Sequence, residues 1–99
     1  MEWLSMTLIN KEKINEYIAD CGFAEEGIIL YDGFENAFMG LASKYHSASA
    51  VYDYDKCLDI LLNRDGMSPE QADEYMQFNV VGAWLGDATP IFIFNKFKP

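Results

Sequence analysis

Apolar residues recur at helical spacing in three segments of the chain. In the first segment, Ile14, Tyr17, Ile18 and Cys21 lie at positions i, i+3, i+4 and i+7, which predicts a helix over 10–21 with one buried face. An asparagine at its first position can cap the helix, and the glycine that follows can end it. The acids of this segment lie on the opposite face.

The second and third helices have clearer boundaries. Asp53 or Asp55 can cap the second helix, and an Asp-Gly pair at 65–66 ends it. Its expected buried stripe consists of Tyr54, Leu58, Leu61 and Leu62. The third helix begins with a capping box, Ser68 to Gln71 with proline between them, and we expect it to run to about Leu85.

Shorter apolar runs predict the strands. The run 27–31 ends at an Asp-Gly turn and pairs with 37–42 in a predicted hairpin, with Gly40 marking a bulge. A short helix at 34–44 is the alternative for this region. Further strands are expected at 47–52 and at 91–94, and residues 3–9 add a strand or a packing arm.

This order of elements predicts a single α+β domain over residues 1–99. Strands from distant parts of the chain have to pair, so we expect a small antiparallel or mixed sheet of three to four strands with about three helices on one face. About half of the residues are apolar, so the chain can bury a core without a metal or disulfide. We expect Cys21 and Cys57 to be buried free thiols.

Charge narrows the partners that this domain can have. The net charge is −9, and the segment from Glu12 to Glu74 holds fourteen acids and four bases. Such a surface repels nucleic acid and anionic lipid, so a basic protein partner, or no partner, is favoured. Residues 1–10 have neither a basic region nor an apolar run long enough for a signal peptide or a membrane span, and we therefore expect a cytoplasmic protein.

The acids form rows at helical spacing that could mimic a nucleic-acid backbone. Neighbours in such a row lie roughly 5–6 Å apart at Cβ, similar to successive phosphates, and could occupy a groove lined with Lys and Arg. The same rows also fit a solvated face that confers solubility. The candidate partner-binding residues are Glu12, Glu16, Asp20, Asp55, Asp59, Glu70, Asp73 and Glu74.

Catalytic and metal-binding patterns are weak. Asp32, Asp53 and Asp55 follow predicted strands and could converge on Mg²⁺, although an N-cap explains the Asp-x-Asp spacing equally well, and Leu58 stands where an EF-hand needs glycine. His46 is the only histidine, and a His46–Cys pair could in principle form a nucleophile and base. Because each cysteine lies on a predicted buried stripe and His46 lies in a polar connection, we expect a solvent-exposed loop histidine instead. With no phosphate-binding glycine motif, we predict no enzyme activity and no cofactor.

Aromatic residues near both ends suggest a different kind of surface. Trp3, Phe92, Phe94 and Phe97 exceed what one small core is expected to hide. They could support self-association into a homodimer or binding to another protein.

Several sequence words occur in an order that resembles a known protein family. They are DGFENAFMG at 32–40, VYDYDK at 51–56, RDGMS at 64–68, FNVVGAWLG at 78–86 and the Thr-Pro step at 89–90. The chain resembles a family of small acidic proteins encoded by phages and prophages, over roughly residues 27–94. Residues 1–22 fall outside the resemblance.

The resemblance implies a context and no catalytic residue. It implies a mobile-element protein that acts in a bacterial cytoplasm. Small acidic phage proteins often inhibit host defences, and anti-CRISPR proteins are the best-known class. Together with the acidic rows, this favours an inhibitor that binds a nucleic-acid-handling host complex. The alternatives are an accessory phage protein and the divalent-metal site described above.

Overall fold

The computed structural model describes residues 9–44, 47–86 and 88–96. The helices and strands of this part of the chain are, in order, α1 (Lys11–Asp20), β1 (Phe38–Lys44), β2 (Ser47–Asp53), α2 (Tyr54–Asp65), α3 (Pro69–Tyr75) and β3 (Ile91–Ile93). A single 3-10 turn, Glu35–Ala37, precedes β1, and a π-helical segment, Met76–Val81, continues α3. Of the predicted N-terminal arm, only residue 9 lies within the described residues.

Strand β2 is the centre of a mixed three-stranded sheet. The order is β1-β2-β3, with β1 antiparallel and β3 parallel to β2. Every residue from Ala48 to Asp53 is buried, so packed atoms cover both faces of this strand. The structure confirms the predicted α+β class and its mixed sheet.

The predicted hairpin between 27–31 and 37–42 is wrong. Residues 27–31 are irregular, and β1 pairs with β2 instead. The backbone N–H of Tyr31 donates to the hydroxyl oxygen of Tyr52 at 2.9 Å. This N–H is therefore bonded to a side chain and not to the backbone of a neighbouring strand. Ile28 and Leu30 pack against the core from this irregular segment. The alternative helix at 34–44 is also wrong beyond its 3-10 turn.

Gly40 does mark a bulge, as the sequence predicts. The register between β1 and β2 shifts between Phe38 and Gly40, and Gly40 has a φ of +142°. A side chain is strained at this φ, which explains the glycine. The Tyr17 hydroxyl lies 3.6 Å from the place that a Cβ would occupy, so α1 approaches the sheet at this point.

Side-chain caps fix the starts of α1, α2 and α3, the α-helices of the described residues. Asn10 caps α1, Asp53 caps α2, and Ser68 caps α3 in a reciprocal capping box with Gln71. Gly66 ends α2 in the left-handed conformation. All of these positions agree with the sequence-based prediction.

Helix α1 uses a narrower apolar face than its spacing predicts. Ile14 and Ile18 are its buried residues, whereas Tyr17 and Cys21 are exposed. Tyr17 sets the edge of its ring against Phe38, with 6.1 Å between ring centroids. The expectation that Cys21 is buried is therefore wrong: of the four spaced residues only the two isoleucines are covered, and Tyr17 contacts the sheet from an exposed position.

The core lies between β2 and the pair formed by α2 and α3. Tyr52 is at its centre, and its ring contacts three other aromatic rings, those of Tyr31, Phe38 and Phe92. Burial raises the pKa of Tyr52 to about 12. The remaining buried residues of this cluster are Phe34, Ala37, Ala50, Tyr54, Cys57, Leu61, Ala72, Met76 and Val80. Leu58 and Leu62, expected in the buried stripe of α2, are half-buried at its margin.

The helix that begins at Pro69 ends at Val81, before the predicted end at Leu85. The N–H of Gly82 donates to the carbonyl oxygen of Gln77 at 3.1 Å, which closes the wider π-helical turn. A Cβ on Gly82 would lie 2.6 Å from that same oxygen. Glycine is therefore required at this position because a side chain would not fit. Its φ of −77° is one that any residue can adopt.

We expect Gly82→Ala to lower the free energy of unfolding by roughly 1–3 kcal/mol, because the new methyl group overlaps the Gln77 carbonyl. Urea unfolding followed by circular dichroism measures the change. Asn79→Ala, at an exposed position of the same segment, is the control and should alter stability by less than about 0.5 kcal/mol. A Gly82→Ala protein as stable as wild type would contradict the described closure.

Candidate functional site

The acids of helix α1 form a straight, exposed row, called here the α1 acidic row: Glu12, Glu16 and Asp20. All three are exposed, and they lie opposite the buried Ile14 and Ile18. None forms an ion pair with another described residue. Like charges at this spacing oppose helix formation by about 0.2–0.5 kcal/mol per pair. Apart from Glu12, which lies in the first turn and complements the helix dipole, the row gains no stabilisation from α1, and all three carboxylates are open to cations from outside.

The two acids of helix α2 are less available. Asp55 is half-buried, and its carboxylate lies 3.4 Å from the Nζ of Lys96. Asp59 is exposed but lines a cleft that also holds Lys56 and Arg64. The predicted α2 pair therefore consists of one carboxylate that a lysine offsets, Asp55, and one exposed carboxylate, Asp59, that forms no ion pair with a described residue.

The three acids of helix α3 divide into two kinds. Asp73 accepts a hydrogen bond from the Tyr54 hydroxyl at 2.5 Å, which joins α3 to α2. Glu70 and Glu74 are exposed and form no ion pair within the described residues. Asp73 is exposed as well but has a structural role, whereas the carboxylates of the two glutamates have no partner among the described residues.

The three aspartates of the metal alternative do not converge. Asp53 caps α2 by accepting the Lys56 N–H at 3.1 Å, and Asp32 lies 2.7 Å from the Nζ of Lys11. Asp55 has the ion pair described above. No group of three or more His, Cys, Asp and Glu residues within the described ranges could hold a metal ion. The geometry gives these carboxylates capping and ion-pairing roles instead.

The two cysteines lie in opposite environments. Cys57 is buried as expected, and burial raises the pKa of its thiol to about 12. Cys21 is exposed at the end of α1, where its hydrogen bond with Tyr17 raises the pKa of that phenol. His46 lies outside the described residues, so neither its expected place in an exposed loop nor the alternative His46–Cys pair is tested.

Arg64 lines the cleft beside α2, and three of the five N–H groups of its guanidinium donate to protein oxygens. Its guanidinium donates to both carboxylate oxygens of Asp65, at 2.9 and 3.0 Å, and to the carbonyl oxygen of Gly33 at 2.8 Å. It also lies over the Phe34 ring, 5.6 Å from the centroid. Through these bonds the arginine connects the end of α2 to the loop before β1. Because its charge is paired with Asp65, it is not a free site for an anion.

The aromatic residues predicted as a terminal apolar surface have mixed positions. Phe92 packs against the core and stacks with Tyr52. Phe94 is 58% exposed, but one face of its ring stacks on Tyr54 with 4.3 Å between centroids. Trp3 and Phe97 lie outside the described residues. Of the two predicted residues that the structure describes, only Phe94 therefore presents part of its ring to solvent.

The most exposed large apolar side chains of the described residues lie elsewhere, in the segment from 75 to 85. Phe78 is 77% exposed and Trp84 is 74% exposed. The sequence contained the signal for Phe78, since Ala72, Met76 and Val80 repeat every fourth residue and define the inner face of this helix. A residue two positions after Met76 has to point away from that face.

Phe78 borders a groove on the outer side of α3 and its π-helical continuation. The groove has a volume of about 470 Å³. Its lining, which defines the α3 groove, consists of Met67, Gln71, Glu74, Tyr75, Phe78 and Asn79. An apolar floor with a few polar groups at the edge is the usual composition of a recognition site.

Comparisons of the chain with protein-family models, with curated proteins and with solved structures find no match. The resemblance to phage-encoded proteins therefore stays a prediction. No helix within the described residues is long and apolar enough to cross a membrane.

We expect iodoacetamide at mildly alkaline pH to alkylate Cys21 in the folded protein and to leave Cys57 unmodified. Only a thiolate reacts, and Cys57 is both inaccessible and held protonated by its raised pKa. Mass spectrometry of the digested protein locates the label, and the Cys21→Ser variant is the control. Labelling of Cys57 at a comparable rate in that variant would contradict the described core.

Proposed function

We propose that this chain is a non-enzymatic phage or mobile-element protein that inhibits a host nucleic-acid-handling defence complex, in the manner of an anti-CRISPR protein. It acts in the bacterial cytoplasm by protein–protein binding. An acidic surface of the chain occupies a basic groove of the target in place of nucleic acid. The resemblance supports the biological context, and the positions of the acids support the mechanism.

The α1 acidic row is the observation that carries the mechanism. Its three carboxylates follow one line along the helix, spaced by a rise of about 6 Å. They cap no neighbouring helix and form no ion pair with another described residue. A target groove lined with Lys and Arg can therefore meet the row without first breaking internal contacts.

Net charge makes a basic protein the favoured partner. At −9, the chain repels nucleic acid and anionic membranes and attracts a basic surface over long range. Steered association of this kind speeds encounter and weakens as salt screens the charges. Glu70 and Glu74 of α3 extend the acidic surface beyond α1. Asp55 and Asp73, which have internal partners, contribute least.

Reversal of the row tests the mechanism. We expect the triple variant Glu12→Lys, Glu16→Lys, Asp20→Lys to recover its target about tenfold less well, since three exposed ion pairs at roughly 0.5 kcal/mol each are lost. A tagged pull-down from a bacterial lysate that contains active defence complexes, quantified by mass spectrometry at low and moderate salt, measures the recovery. The same variant should restore defence in a plasmid-interference assay.

The control variant is Glu25→Lys, Glu26→Lys, which reverses two exposed acids of the loop after α1. It should keep recovery and inhibition close to wild type. If the triple variant inhibits as well as wild type, the nucleic-acid-mimicking mechanism is wrong.

A second candidate function is that of an accessory phage protein that self-associates or binds a phage partner through an apolar surface. The exposure of Phe78 and Trp84 favours it, because burial of such rings is a strong source of binding energy. Light scattering over a range of concentrations tests the self-associating form. A dimer that the Phe78→Ser, Trp84→Ser variant abolishes would support it, and a monomer at every concentration would reject it.

A further inference from the structure

The helix from Pro69 to Val81 has two faces with different uses. Ala72, Met76 and Val80 face the core and are buried. The outer face carries the α3 groove, at which Tyr75 and Phe78 are 38% and 77% exposed. A capping box fixes the start of the helix, and the bond from Gly82 to the Gln77 carbonyl fixes its end. The groove therefore lies on a rigid element.

The lining of the groove suits an aliphatic side chain. Met67, Tyr75 and Phe78 supply apolar lining, and the Asn79 amide supplies hydrogen-bonding groups, whereas the amide oxygen of Gln71 already accepts the Ser68 N–H. A volume of about 470 Å³ holds several side chains of a bound peptide. Aromatic residues at the centre of such a contact usually contribute most of its binding energy.

The charge around the groove selects the kind of occupant. The sequence contains no Lys, Arg or His between Arg64 and Lys96. Glu74 lines the groove, Glu70 lies one helical turn before it, and neither forms an ion pair with a described residue. A second copy of the chain would bring a further charge of −9 to this acidic face, which opposes self-association. A basic occupant meets no such repulsion.

We propose that the α3 groove binds a segment of a partner protein that inserts an apolar side chain against Tyr75 and Phe78 and sets a lysine or arginine against Glu74. This inference rests on the proposed function, since it takes the partner to be a basic protein. It adds an apolar anchor to the electrostatic contact of the α1 acidic row. Phe78 provides the main apolar contact, and Glu74 favours a positively charged residue in the partner.

Titrations with peptides of defined sequence test the site directly. The probes are three short peptides of alternating Lys and Leu, of alternating Lys and Ser, and of alternating Glu and Leu. The isotope-labelled protein is titrated with each probe, and NMR chemical shifts locate the contact. We expect the Lys–Leu peptide alone to shift the signals of Met67, Tyr75 and Phe78 in a saturable manner.

Substitutions at the groove have graded expected effects. Phe78→Ala should weaken binding of the Lys–Leu peptide about 30-fold, the effect of removing an aromatic anchor. Glu74→Gln should weaken it about threefold, as expected for an exposed ion pair. Met39→Ala and Glu26→Gln change exposed residues outside the groove and should leave binding unchanged. Because Phe78 is exposed, its variant should melt at the wild-type temperature.

Three outcomes would overturn the site. Equal binding of the Lys–Ser peptide, unaffected by Phe78→Ala, would show contact with acids alone and leave the proposed function standing without the groove. If the Glu–Leu peptide bound as tightly as the Lys–Leu peptide, the claim that the groove prefers a basic partner would be wrong. A dimer that depends on Phe78 would replace the basic partner with a second copy. Conversely, intact binding at the groove together with inhibition insensitive to reversal of the α1 acidic row would retain the site and reject the proposed mechanism.

Discussion

Tyr52 lies at the centre of strand β2, where its ring contacts Phe38 of β1 and Phe92 beside it in β3, and its hydroxyl oxygen accepts the amide of Tyr31. One side chain thus joins both neighbouring strands and an irregular segment that has no strand partner of its own. An unbonded buried hydroxyl or amide would cost about 1–3 kcal/mol. The hydrogen bond between Tyr31 and Tyr52 therefore stabilises the same arrangement of strands that the ring contacts stabilise.

The position of the α3 groove depends on strand β2 and Tyr52 through a short series of contacts. Strand β2 passes directly into α2 at Asp53, which caps the helix. The next residue, Tyr54, packs in the core and donates its hydroxyl hydrogen to Asp73 of α3. The inner residues of α3 are then buried, and its outer face, with Phe78 and Glu74, is turned to solvent. Core packing therefore determines which aromatic residue a partner can reach.

Local chemistry makes part of this predictable from the sequence. Caps such as Asn10 and Ser68 depend on neighbouring residues only, and the bulge at Gly40 follows from a backbone angle that glycine favours. The hairpin at 27–31 is mispredicted because apolar side chains packed on a core from an irregular segment show the same pattern as a strand. The π-helical turn contains one residue more than an α-helical turn, and the spacing of the apolar residues in the sequence does not reveal it. The exposure of Cys21 depends on how α1 meets the sheet, which no local pattern contains.

Two kinds of surface result, one electrostatic on α1 and one apolar on α3, and we assign both to a basic protein partner. The most direct test is a competition experiment in which the purified protein displaces labelled nucleic acid from the recovered host complex at increasing salt. We predict displacement at low salt, with an affinity that falls steeply as salt rises. Failure to displace the nucleic acid, or displacement equally strong at high salt, would contradict the claim that its acidic surface takes the place of nucleic acid.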